Sequence, residues 1–342
     1  VIPEGDVYGN WEISGSPYQV SGDITIPNDF TLNIDAGVTI EFQGHYALYF
    51  QGRLLAIGNE IDSILFTVND TAGFHNPDTT LGGWYGIKIA DTPEQNDTSK
   101  IMYCNLQYGK AIGPGWWLNA GGAICIVNFS KVIISNCLIT HNIAGGPEAE
   151  VPSGGGIHLA WADVIISNNT ISYNKARAGG AVQIHDSYPM FSNNIFYGNR
   201  AYEGGGISTG EIANINFNGD TFIQNTAESH GGGIMCWNPV NWSFNNVIFS
   251  GNMASWGAGL GFSGGNVQID NCVFESNKAS SIGGGIAADF CELSISNSYF
   301  LNDTSNDLSG AIHNWYCQTT ISNCAFSNNS AILGGAVYAD FS

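Results

Sequence analysis

Basic residues are scarce in this chain of 342 residues: 9 Lys+Arg stand against 29 Asp+Glu, a formal net charge of −20. That balance excludes partners held by clustered positive charge, nucleic acid and anionic membrane surfaces above all. No apolar run approaches the roughly 18 residues of a membrane-spanning helix, so no membrane span is expected. Cysteine is also sparse, 8 in all, too few for a disulfide-built scaffold, and no CxxC or Cys/His spacing argues for zinc. The chain opens at Val1 without a basic and apolar leader, the pattern of a mature protein after signal-peptide removal. A secreted or cell-surface location is the expectation.

What is abundant is Gly, 45 residues, together with Asn, and both recur periodically. The aliphatic residue of a Gly-Gly-x-Ile phrase falls at Ile124, Ile157, Val182, Ile207, Ile234, Leu260, Ile286, Ile312 and Val337, with spacings of 33, 25, 25, 27, 26, 26, 26 and 25. A second register runs through Asn136, Asn168, Asn193, Asn218, Asn245, Asn271, Asn297 and Asn323. A third runs through Asn142, Asn174, Asn199, Asn225, Asn252, Asn277, Asp303 and Asn329. Three landmarks with one period define a repeat protein.

The segments between landmarks, such as Val132-Ile133-Ile134-Ser135 and Leu293-Ser294-Ile295-Ser296, are too short and too alternating for helices and read as strands. Three strands and three turns fit each unit. One such coil cannot bury its apolar face alone, whereas parallel coils stacked about 4.8 Å apart build a continuous core. The pattern therefore predicts an all-β, single-stranded right-handed parallel β-helix of about 25–26 residues per coil. Residues 1–110 lack the Gly-Gly-x-Ile phrase and are expected to form an N-terminal cap and first irregular coils; residues 111–342 carry the regular repeats of one continuous domain. Insertions fall around residues 69–83 and 144–153, and the chain stops at Ser342 just after a Gly-Gly-x-Val phrase, which predicts that the native chain continues.

The ladder residues read as structural. Stacked Asn satisfies turn backbone, Gly pairs supply positive φ, and Phe196, Phe222, Phe249, Phe274, Phe300 and Phe326 are expected to stack inside. Cys291 and Cys317, 26 apart, and Cys104 and Cys137, 33 apart, fall at equivalent positions of adjacent coils and are disulfide candidates. Cys236 takes an aliphatic core position and is expected to stay reduced.

Phe274-Glu275-Ser276-Asn277 followed by Gly284-Gly285-Ile286 resembles the repeat of the chlamydial polymorphic outer membrane proteins and related bacterial β-helix surface proteins, over about residues 121–342. The resemblance implies a pectate-lyase-like solenoid and the role of an autotransported adhesin, although the chain carries no membrane barrel.

Function is then sought at outward positions. Counting from the repeat's aliphatic residue, the first and third following positions should face solvent. These and the adjoining turn bring His158, Trp161, His185, Asp186, Glu211, Trp237, Asp289 and Trp315 to one flank. Trp faces stack on sugar rings while acids and His pair with hydroxyls, so the strip reads as a binding surface for an extracellular glycan or another host or cell-surface component. An enzyme reading as a polysaccharide lyase or glycoside hydrolase would use His185, Asp186 and Glu211 as acid and base. Against it, the nearest cations, Lys175, Arg177 and Arg200, lie at a different corner from that flank, where by resemblance such lyases place catalysis. A third reading is a structural solenoid that self-associates. No cofactor is required by this pattern, and Asp70, His75, Asn76 and Asp78 in the first insertion make a candidate Ca²⁺ loop.

Overall fold

The computed structural model describes residues 1–90, 92–113, 119–145, 153–210 and 214–341, with no α-helix among them. They form two compact units, 1–177 and 178–342, each a right-handed parallel β-helix. The boundary at 177 lies inside the regular repeats, whereas the repeat pattern itself changes near 110.

In the first unit, six coils open with the strands Gly5–Asp6, Ile24–Ile26, Ala47–Phe50, Gly86–Ile89, Ile124–Val127 and Ile157–Ala160, hydrogen-bonded in that order in one parallel sheet. Two further sheets repeat the order, so residues 1–110 already form coils of three strands. Alternation explains them: in Thr39–Phe42 and Ile64–Val68, Ile40, Phe42, Ile64, Phe66 and Val68 point inward and are buried. Trp84 stacks on Phe42 at 4.6 Å and donates from Nε1 to the Gln107 carbonyl at 2.8 Å.

The first insertion is organised by a buried cation. Lys110 donates from Nζ to the carbonyls of Gly73, Asn76 and Leu81 at 3.0, 2.8 and 2.8 Å, and burial lowers its pKa to about 8. Its ammonium sits where the three loop carbonyls converge. Asp70 and Asn76 meanwhile accept from the backbone amides of Ala72 and Asp78, at 2.8 and 3.0 Å. Among the described residues no group of three or more His, Cys, Asp or Glu is placed to hold a metal. Most of the second insertion lies outside the described residues.

In the second unit the first sheet runs Val182–His185, Ile207–Thr209, Ile234–Trp237, Leu260–Ser263, Ile286–Asp289, Ile312–Trp315, Val337–Asp340. The expected ladders are present. Asn199, Asn225, Asn252 and Asn277 each donate from Nδ2 to the side-chain oxygen of the next rung, at 2.9–3.1 Å, ending at Asp303. Phe196, Phe222, Phe249, Phe274, Phe300 and Phe326 stack at 4.5–5.1 Å with near-parallel rings. Cys236 is fully buried, and burial pushes its thiol up to about 12.

Two expectations are corrected. The first five coils here have a fourth strand, Arg200–Glu203, Thr226–His230, Met253–Trp256, Lys278–Ile282 and Thr304–Ser305, forming its own sheet. It is lined inside by Ala227, Ala254 and Ala279, whose small side chains hide it from an aliphatic pattern. Secondly, the position directly after the repeat's aliphatic residue is covered: Ser208, Met235, Ala287 and His313 are buried in this unit. The preceding glycine turn folds back over it. A Cβ on Gly231, at φ +64°, would lie 2.6 Å from that of Met235, and on Gly204, at φ +61°, 2.6 Å from that of Ser208. Only glycine tolerates both the conformation and the contact.

Candidate functional site

The flank nominated by sequence is only partly a surface. In the first unit His158 is 4 % exposed, for the reason just given, and its Nδ1 lies 3.1 Å from Ser153 Oγ; it is a structural histidine, not an outward ligand. Trp161 follows strand Ile157–Ala160 in a left-handed turn, φ +50°, and is exposed. In the second unit His185 and Asp186 meet, Nε2 to Oδ2 3.3 Å, both half-exposed. Glu211, the third member of the acid–base set, lies outside the described residues. Trp237 is exposed and packs edge-on to His230 at 5.8 Å, which meets Trp256 at 5.6 Å. Three coil steps separate Trp237 from Trp315, about 14 Å at β-spacing, so the tryptophans do not form one platform.

Asp289 and Trp315 are register partners on adjacent strands. Asp289 is half-buried, one carboxylate oxygen has no hydrogen-bond partner, and burial raises its pKa to about 6. Trp315 stands edge-on to Phe290 at 4.7 Å. The residues that follow these two, Phe290 and Tyr316, line a concavity at the corner where the first sheet turns into the second.

That corner is built from one repeated conformation. Asn238, Phe290, Tyr316 and Phe341 all have φ between +52° and +54°, which aims each side chain off the corner. Phe290, Tyr316 and Phe341 stack at 5.4 and 4.7 Å with nearly parallel rings. In the coil between Asn238 and Phe290 the corresponding residue is Gly264, with φ +85°, followed by Gly265. The aromatic column is thus interrupted by a coil without a side chain, over which the Asn238–Pro239 turn leans, a Cβ on Gly264 falling 2.5 Å from Asn238 Oδ1 and one on Gly265 closer still to the Pro239 oxygen, and a recess opens beside the Phe290 ring. Pro239, Val240 and Asn241 form its far wall, and the cavity measures about 670 Å³. It continues onto the second sheet as a polar trough of about 690 Å³ lined by Gln268, Ser294, Thr319 and Thr320. Asn266, Glu292 and Gln318, register partners on three adjacent strands, belong to both.

Sequence reasoning missed Asn266, Glu292 and Gln318 because it followed the first sheet, and these lie just past the corner on the second. Their spacing of 26 was the available signal. Beneath the recess Cys291 and Cys317 lie with their sulfurs 2.6 Å apart, both buried. The hydrogen bond to Cys317, together with burial, holds the Cys291 thiol above its ordinary value. Cys104 and Cys137 are likewise adjacent, the Cys104 amide lying 3.4 Å from the Cys137 sulfur.

An aromatic face beside a row of amides, hydroxyls and one carboxylate is suited to a ring with an apolar face and a polar rim.

The chain matches the family described as "Right handed beta helix region" over residues 64–238 and belongs to it. The Chlamydia polymorphic membrane protein repeat matches at 271–289 and 323–340. No curated protein matches. Among solved structures, the surface adhesin PfbA of Streptococcus pneumoniae is similar at 13% identity, covering 94% of this chain and 86% of that one, with a TM-score of 0.41. The A-module of an Azotobacter vinelandii mannuronan C-5 epimerase shares 13% identity over 96% of this chain and 92% of its own, TM-score 0.35. Endopolygalacturonase I of Stereum purpureum shares 12% over 90% and 94%, TM-score 0.31. Likeness at this level concerns the fold alone. Among the described residues no helix is long and apolar enough to cross a membrane.

Proposed function

We propose that this protein is a secreted or cell-surface β-helix of the adhesin type that binds an extracellular glycan without cleaving it. The observation that carries the reading is the slot beside Phe290, continued by the amide and hydroxyl trough of the second sheet. A sugar ring laid on Phe290 would leave its hydroxyls within the trough, and an extended chain would follow it across the coils. Binding without catalysis is favoured because the described acids near the groove are not set opposite a basic partner, and His185 with Asp186 lies several coils away. The match to the polymorphic membrane protein repeat supports a surface location.

The test is a glycan array with the purified protein, with and without calcium, followed by assay of any bound polysaccharide for new reducing ends or unsaturated products. We expect binding without cleavage, weakened at least tenfold by Tyr316→Ala or Phe290→Ala at unchanged melting temperature. Cleavage lost in His185→Ala would replace this reading by an enzymatic one, and no binding to any glycan would leave a self-associating structural solenoid.

A further inference from the structure

We infer that the groove selects sugars carrying a free amino group and rejects uronates; this rests on the glycan-binding reading and adds its charge specificity. Glu292 occupies the centre of the concavity, the carboxylate shared by the aromatic slot and the polar trough. Its register neighbours on either side, Asn266 and Gln318, are amides that accept and donate without compensating the charge. None of the side chains lining either part of the groove is basic, and the whole chain carries a net charge of −20.

A uronate carboxylate laid along this trough would meet like charge with no Lys or Arg to receive it, whereas an ammonium would find Glu292 beside the open face of the Phe290 ring, which also attracts cations, the faces of Tyr316 being covered by Phe290 and Phe341. Gly264 and Gly265 remove one rung from the corner column, so that the Phe290 face turned away from Tyr316 has no aromatic neighbour in the column and can take the flat face of a pyranose ring. The polar trough then receives the next residues, whose hydroxyls need the neutral donors and acceptors that Gln268, Ser294 and Thr320 supply.

The experiment is calorimetric titration of the full chain with short oligomers of de-N-acetylated glucosamine, of N-acetylglucosamine and of galacturonate, at low and physiological salt. We expect the amine oligomer to bind about tenfold tighter than its acetylated counterpart at physiological salt, a factor a single close charge pair supplies, with no binding of oligogalacturonate. Glu292→Gln should equalise the amine and acetylated oligomers, while Glu275→Gln, which removes an exposed carboxylate on the third sheet of the same unit, should leave the preference intact. Equal affinity for amine and acetylated sugars, binding of oligogalacturonate, or loss of the preference in Glu275→Gln as well would overturn the charge specificity and leave glycan binding standing. Failure of all three oligomers together with a silent glycan array would overturn both.

Discussion

Asp303 stands where the neighbouring rungs of its ladder carry Asn. It accepts from Asn277 Nδ2 at 2.9 Å through one oxygen, while the other is buried without a partner. At that place the ladder's amides donate to a phenylalanine carbonyl, as Asn277 does to Phe249 and Asn329 to Phe300. A proton on the orphaned oxygen would fill the same role, and burial raises this carboxyl from 3.8 to about 7. Because the folded value lies above the unfolded one, the stabilisation is complete below about pH 4 and is lost as pH rises through about 7. The expected result is that stability against denaturant falls across that window, and that Asp303→Asn removes this carboxyl's share of the fall, leaving the shares of Asp220 and Asp289, both raised by burial to about 6, and gains up to about 4 kcal/mol at pH 8. An unchanged pH profile in the variant would refute the assignment. Lys110 makes the complementary case, a charge that is satisfied. Removing it in Lys110→Met strands the carbonyls of Gly73, Asn76 and Leu81, at a cost of about 2 kcal/mol or more. Limited proteolysis should then cut within residues 69–83 faster in the variant than in the native protein.

At the scale of the element, the coil is stabilised by what repeats and specialised by what does not. The asparagine ladder and phenylalanine stack supply one polar and one apolar column per coil, so each added coil buries the open face of the last. Cys291 and Cys317 add a local bond between two coils if they are oxidised. With oxidised glutathione, one thiolate displaces a glutathione thiol and the second resolves the mixed disulfide, releasing the other. The expected product has lost two hydrogens, resists alkylation under denaturing conditions, and is stabilised by about 3 kcal/mol for a loop of this length. Full alkylation of both residues after exposure to the oxidant would count against the pairing.

At the scale of the whole molecule, charge governs which partners approach. A net charge of −20 spread over a solenoid surface repels polyanions at a distance. The protein should pass through heparin and DNA columns unretained even at low salt; retention released by moderate salt would show a basic patch that the composition does not supply. Period, parallel stacking, right-handed coils and the identity of both ladders were legible in the sequence, because each depends on one residue type recurring once per coil. The fourth strand was not, since alanine at its inner position carries no hydrophobic signal.

The candidate site was legible in part. Outward aromatics and acids at a corner follow from alternation and spacing, and Asp289 and Trp315 each immediately precede a groove-lining residue, Phe290 and Tyr316. The amino-acid sequence by itself determined that solenoid and those ladders, because nearest-neighbour repeats translate directly into stacked strands. Only the tertiary structure decided that a glycine turn covers Met235 and its equivalents, that a buried lysine fills the first insertion, and that Gly264 opens a slot beside Phe290. Each of these depends on how a turn lies against the next coil, which is set by the path of the chain in space and not by its period.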